Sequence, residues 1–298
     1  MISSQEDEPT TEAGLRDDYE RNKASIIRLM AAEAEQGEVL GFYWAWRDKV
    51  EPDLVSFILV VKPEQRRQGV GRILYEDLAR AVAGAHAQKI RVSLLDGCPD
   101  YRAFAERRGF REIRHHIGME LDLQAFDDRP YDGILARLQA EGFRFTSMAE
   151  LGNTQAAQRK LYALNDAASA STPGQAGEHP WVSFEYFQKS VCQSDWYIPD
   201  GQIVAIDTAS GAWAGMSAIT RRPGQSYAYN LFTGVDLPYR GRKLGQAVKV
   251  LALRYARNVL QAQTVRTHHN TKNLPMIAID TKLGYQLVSG TYLMEKAR

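Results

Sequence analysis

Apolar residues in this chain fall into two kinds of run. Short, nearly continuous runs bounded by Gly, Pro or charge predict strands at 39–46, 54–61, 90–95 and 117–123. Between them, Ile73, Leu74, Leu78 and Val82 recur at roughly helical spacing and predict a helix over 73–85. A shorter helix is predicted over 101–108, with Gly109 as its left-handed stop. The second half of the chain runs through the same order. Strands are predicted at 203–207, 214–220, 227–235, 264–269 and 290–294, and helices at 244–259 and 275–283, the latter closed by Gly284.

The recurrence is also visible in the residues. Leu59-Val60-Val61 runs through Pro63 into Arg66-Arg67-Gln68-Gly69-Val70-Gly71, and Thr233-Gly234-Val235 runs through Pro238 into Arg240-Gly241-Arg242-Lys243-Leu244-Gly245. Further on, Arg107-Arg108-Gly109-Phe110 has its counterpart in Lys282-Leu283-Gly284-Tyr285. Gly71 and Gly245 stand 174 positions apart, and Gly109 and Gly284 stand 175 apart. Two landmarks that keep nearly the same offset point to duplication of a single unit.

The halves differ at their fronts. The second has room for a strand at 143–148 and helices at 154–168 and 183–191, with a Ser/Thr/Pro/Gly/Ala-rich loop at 169–180 between them. The first offers only a short piece near 25–32 after an acidic start, where seven Asp or Glu face one Arg in the first twenty residues. The expected organisation is a solvated tail at 1–24, a shortened domain at 25–125 and a full one at 126–298, each α/β with a mixed sheet. A length of 298 residues suits two such cores.

Composition narrows the function classes. Thirty-seven Lys and Arg against 36 Asp and Glu leave a net charge of +1, which gives no general pull toward nucleic acid or an anionic membrane. No apolar run approaches the roughly 20 residues of a membrane span, and the start lacks the pattern of a secretory signal. Two cysteines, Cys98 and Cys192, make neither a disulfide framework nor a zinc pattern, and no metal site is expected. A cytoplasmic setting is the expectation, as monomer or homodimer.

The chemistry sits in the Arg-rich loops. Each falls between a strand and a helix, where main-chain N–H groups at the helix start are unpaired and carry partial positive charge. Glycines there let a phosphate approach the backbone, and arginines add forked donors. The loop is not a P-loop, because no Gly-Lys-Ser/Thr follows, and it lacks the full dinucleotide spacing. We read it as a diphosphate cradle, present twice.

A strand, an Arg-x-x-Gly-x-Gly loop, a helix, a strand and a short helix ending in Gly-Phe or Gly-Tyr together resemble the GNAT superfamily of N-acetyltransferases, over about 35–123 and again about 140–298. The paired halves are similar to the tandem members of that family. Asn270-Thr271-Lys272-Asn273 also looks like its cofactor-side segment. The resemblance implies that Leu59, Val60 and Val61, with Thr233, Gly234 and Val235, pair with a pantetheine arm. It assigns 66–71 and 240–245 to the diphosphate of acetyl-CoA and places Asn270 and Asn273 beside the pantetheine. Two departures stand out. Lys243 occupies the place of the family's central Gly, and the Tyr often found four residues before the Gly-aromatic pair is replaced by Ala105 and Asp280.

The implied reaction is attack of a primary amine of a small molecule on the acetyl-CoA thioester in a ternary complex. Asp280 and Glu295 are the candidate catalytic carboxylates, by position only. The second half, with its fuller framework, is favoured for turnover. A non-catalytic acyl-CoA-binding protein is the alternative, with a nucleotide-binding enzyme behind it. The histidine pairs His115-His116 and His268-His269 are read as structural, because strand neighbours point to opposite faces.

Overall fold

A computed structural model describes residues 12–48, 51–172, 183–221 and 225–298. Most of the acidic start, most of the predicted loop at 169–180 and residues 222–224 lie outside the described residues. The chain divides into two compact units. One takes the chain up to His116 together with Ser289–Arg298, and the other is Ile117–Val288.

In the first unit, strands β1 (Ile26–Glu33), β2 (Val39–Arg47) and β3 (Leu54–Val61) form an antiparallel meander. Helix α1 (Glu12–Asn22) precedes them. Helix α2 (Val70–Gly84) then returns the chain to β4 (Lys89–Leu95), which runs parallel to β3 and is followed by α3 (Pro99–Glu106). Val70, Leu74, Leu78 and Val82 are the buried stripe of α2, as its spacing requires. The strand order closes β1-β2-β3-β4-β11, where β11 (Gln286–Ala297) is the last strand of the chain. Thr291 to Ala297 pair antiparallel with Leu95 to Lys89, and Met294 is wholly buried in the core with Leu78 and Val82.

The second unit begins with the end of β5 (Arg111–Asp122), followed by α4 (Asp132–Ala140), β6 (Phe143–Ser147), α5 (Gln155–Ala170) and the single turn α6 (Phe184–Phe187). Strands β7 (Gln202–Asp207), β8 (Trp213–Thr220) and β9 (Ala228–Val235) lead into α7 (Leu244–Asn258), β10 (Thr264–Asn270) and α8 (Leu274–Leu283). Their order is β5-β10-β9-β8-β7-β6. Thus the residues at 117–122 serve the unit built mainly by the second half, and 289–298 serve the unit built by the first. Hydrophobic patterning predicts that a strand exists; which sheet takes it depends on the partner edge available.

An ion pair recurs at these strands. In the first unit Arg91, the third residue of β4, donates to Glu295 on β11 at 2.7 Å. In the second, Arg266, the third residue of β10, donates to Glu120 on β5 at 2.5 Å. The same pair at the same place accounts for both glutamates as locks on the terminal strand of each unit.

Candidate active site

The parallel ladder of β3 and β4 is short. It pairs Leu54, Val55 and Ser56 with Lys89, Ile90 and Arg91 and then stops. Beyond Ser56, β3 remains paired with β2 through Val61 but has no ladder partner toward β4. The strands therefore splay, and main-chain groups of the last β3 turn face a gap. A cleft of about 350 Å3 opens there, walled by Leu59 and Val61 of β3, Val92 and Leu94 of β4, and Tyr75, Phe104, Ala105 and Phe110. Val60 alternates to the opposite face of the strand and does not line it.

The loop at 66–71 stands at the mouth. Gly69 caps α2 at φ 92°, and no side chain satisfies the helix start. Arg67 also has positive φ, at 65°, so left-handed residues alternate along the loop and tip successive N–H groups one way. Arg66 is braced by donating from Nε to the Val61 carbonyl at 3.2 Å. A Cβ on Gly71 would lie 3.5 Å from Phe104 and Val61, so the helix start is close to the cleft wall. Arg72, Arg107 and Arg108 join Arg66 and Arg67 around this mouth, with Asp100 as the opposing charge. Arg107 and Arg108 belong to the Gly-Phe motif itself, and the end of α3 brings them to the mouth. Gln68 bonds back to the Glu64 carbonyl and braces the turn.

The second unit repeats the design with its glycine moved. The β9–β10 ladder pairs Ala228 and Tyr229 with Val265 and Arg266 and then stops. Arg240 Nε donates to the Val235 carbonyl at 3.0 Å, as Arg66 does to Val61. Gly241 at φ 78° stands where the first loop has Arg67, and Lys243 at φ 71° stands where it has Gly69. Lys243 thus adopts the left-handed conformation its glycine counterpart takes, and the loop keeps its alternation. Leu244 is buried at the start of α7, where it anchors the helix. Arg242 pairs with Glu141 at 2.8 Å, away from the role expected for it in the loop. Gly234 is required for packing, since a Cβ there would meet Ala168 of α5 at 2.6 Å. Thr233 is tied to Ser217 at 3.0 Å and to Asn230 at 3.2 Å. Asn270 and Asn273 are both largely buried, Asn273 capping the start of α8.

Walls that are inert in the first unit carry charge in the second. By position from the paired glycines and strands, Tyr75, Leu94, Ala105 and Phe110 correspond to Lys249, His269, Asp280 and Tyr285. Lys249 and Asp280 are wholly buried and form an ion pair with each other. The other Asp280 oxygen lies 2.6 Å from His269 Nε2. The Lys249 ammonium stands 4.8 Å from the centre of the Tyr285 ring. Burial pushes the Asp280 carboxyl up, but Lys249 and His269 outweigh it and hold it below the usual carboxylate range. Burial lowers Lys249 despite the carboxylate beside it. Glu295, the other candidate carboxylate, is in the first unit and bound to Arg91 there.

Comparison with known proteins bears on this arrangement. Residues 26–112 match the profile of the acetyltransferase (GNAT) domain. Over these residues the chain is similar to that family. It is 27% identical over 273 residues to a mycothiol acetyltransferase of Thermobifida fusca, covering 88% of this chain and 80% of that one. A mycothiol acetyltransferase of Corynebacterium glutamicum is 25% identical over 243 residues, covering 80% and 74%. Among solved structures, a GCN5-related N-acetyltransferase from Sphaerobacter thermophilus superposes with a TM-score of 0.72 at 17% identity, covering 99% of this chain and 90% of that one. A tandem GNAT protein from the clavulanic acid biosynthesis pathway superposes at 0.66 and 20% identity, covering 89% and 81%. These likenesses agree with a tandem GNAT fold. No helix among the described residues is long and apolar enough to cross a membrane.

Proposed function

We propose that this GNAT protein moves the acetyl group of acetyl-CoA to a primary amine of a small molecule, the amine attacking the thioester directly in a ternary complex. The observation that carries the reading is the splay of β3 from β4 beneath an arginine-rich helix start, repeated in the second unit. Unpaired strand groups suit an amide-bearing arm, an apolar cleft suits its methylenes, and the cradle suits a diphosphate. In the first unit Arg66, Arg67, Arg72 and the N–H groups of 69–71 would hold the phosphates. In the second, Arg240, Lys243 and the N–H groups of 243–245 would do so. The relatives' name, mycothiol acetyltransferase, supports a small-molecule acceptor.

The test is calorimetry with acetyl-CoA followed by thiol release with a panel of amines that includes amino sugars and polyamines. Saturable acetyl-CoA binding and amine-dependent release are expected. Binding of ATP or NAD in its place, with no affinity for acetyl-CoA, would overturn the reading. Binding without release at any amine would leave the acyl-CoA-binding alternative standing.

A further inference from the structure

We infer that His269, held by Asp280 and Lys249, is the acid that returns a proton to the departing coenzyme A thiolate, and that turnover therefore belongs to the second unit. The inference rests on the reading of acetyl transfer above and extends it to a residue and a unit.

Three observations meet at this cluster. First, its position: His269 is the penultimate residue of β10, as Leu94 is of β4, and Leu94 walls the cleft of the first unit. Asp280 stands four residues before Gly284, as Ala105 stands before Gly109, and Ala105 also lines that cleft. Second, its wiring: an ionised carboxylate can only accept, so Nε2 of His269 carries the proton directed at Asp280. Nδ1 of His269 makes no hydrogen bond to the described residues, and the side chain retains 9% exposure beside the splayed end of β10. Third, its unfinished hydrogen bonding: the Tyr285 hydroxyl is buried and has no partner among the described residues, and Lys249 has only the Asp280 carboxylate and the Tyr285 ring. Buried donors left over in this way mark a place where something else is bound. Neighbouring His268 does not compete for the role, because its Nδ1 is 2.6 Å from the Tyr229 hydroxyl.

The step balances simply. The amine nitrogen forms its bond to the thioester carbon, and the carbon–sulfur bond breaks with its electron pair on sulfur. The proton on Nδ1 of the imidazolium passes to sulfur, giving free thiol and neutral imidazole. The surplus proton of the amine returns to the ring through solvent. Asp280 and Lys249 are positioning residues. The carboxylate fixes the ring by accepting from Nε2, and the ammonium keeps that carboxylate ionised inside the protein. The first unit has Leu94 and Ala105 at these places, so its cleft would hold the donor without this histidine and its carboxylate.

The experiment uses the full chain. His269→Ala should lose about 100-fold in kcat, a typical share for a general acid, with acetyl-CoA affinity by calorimetry within a few-fold of wild type. Added imidazole should restore part of the lost rate. The loss should shrink toward nothing with an acetyl aryl thioester, whose acidic thiol departs unaided. Asp280→Asn should lower kcat, leave KM unchanged, resist imidazole, and shift the His269 Nε2 proton signal of the free protein away from its position in a charged hydrogen bond. Unchanged turnover in His269→Ala, or an equal loss with both thioesters and no rescue, would overturn the assignment. Failure of the wild type to bind acetyl-CoA would instead remove the acetyl-transfer reading beneath it. Should His269→Ala fold poorly, His269→Gln, which keeps one bond to Asp280, gives the same comparison of thioesters.

Discussion

The pair Lys249–Asp280 has no exposure to solvent on either side chain, so the cost of separating its charges can be worked out from its surroundings. Asp280→Asn keeps the shape and a hydrogen-bond acceptor for His269 but removes the carboxylate that pairs with Lys249. What remains beside the ammonium is the face of Tyr285 at 4.8 Å. A buried charge stripped of its partner costs about 3–5 kcal/mol. For a folding unit of this size that corresponds to a fall in Tm on the order of 10 °C. Replacing both partners tells a different story. Lys249→Met with Asp280→Asn leaves no stranded charge and should return to within about 1 kcal/mol of wild type. Urea unfolding followed by far-ultraviolet circular dichroism on wild type, both singles and the double closes the cycle, with a coupling of about 2 kcal/mol or more expected. A single Asp280→Asn that costs under about 1 kcal/mol, or a double that costs the sum of the singles, would refute the reasoning.

Other outcomes follow from the same geometry. Because Asp280 is held below its ordinary value of 3.8, its contribution is present above that value and is lost as pH falls through the folded-state pKa, so acid unfolding should come at higher pH in Asp280→Asn, measured by pH titration of stability. Gly71→Asp adds a Cβ at ordinary contact distance and a charge at the helix start; calorimetry should show acetyl-CoA affinity in the first unit down at least about tenfold with folding retained. Lys243→Gly removes a side chain from a left-handed position and should stabilise by about 0.5–1 kcal/mol in thermal or urea unfolding. Met294→Ala, at a site with no exposure, should destabilise the first unit by about 2–5 kcal/mol. Ending the chain after Val288 should go further, since β4 then loses its β11 partner, and hydrogen exchange should show the segment at 26–112 unprotected despite its intact sequence.

Much of this protein was already written in local pattern. The apolar runs located the strands, the spacing of Leu74, Leu78 and Val82 located α2, and the offset between paired glycines exposed the duplication. The Arg66–Gly71 and Arg240–Gly245 loops are candidate anion cradles by sequence because the features that suggest it are local: a helix start, small residues and guanidinium groups within six positions. Lys243 was read as a departure because glycine is the ordinary left-handed residue, yet Gly241 and Arg67 show that the alternation can be met with the glycine at either place. Other features depended on contacts between distant positions. Glu295 belongs by sequence to the second half and by packing to the first, because β11 pairs with β4. Asp280 is a candidate by position alone in the sequence, and only the packing of α7, α8 and β10 brings Lys249 and His269 against it. Hydrogen bonds and hydrophobic spacing within a segment act over a few residues and can be read in order. Which strand edge is free, and which charges share a dry interior, is decided only when segments far apart in the chain compete for the same neighbours.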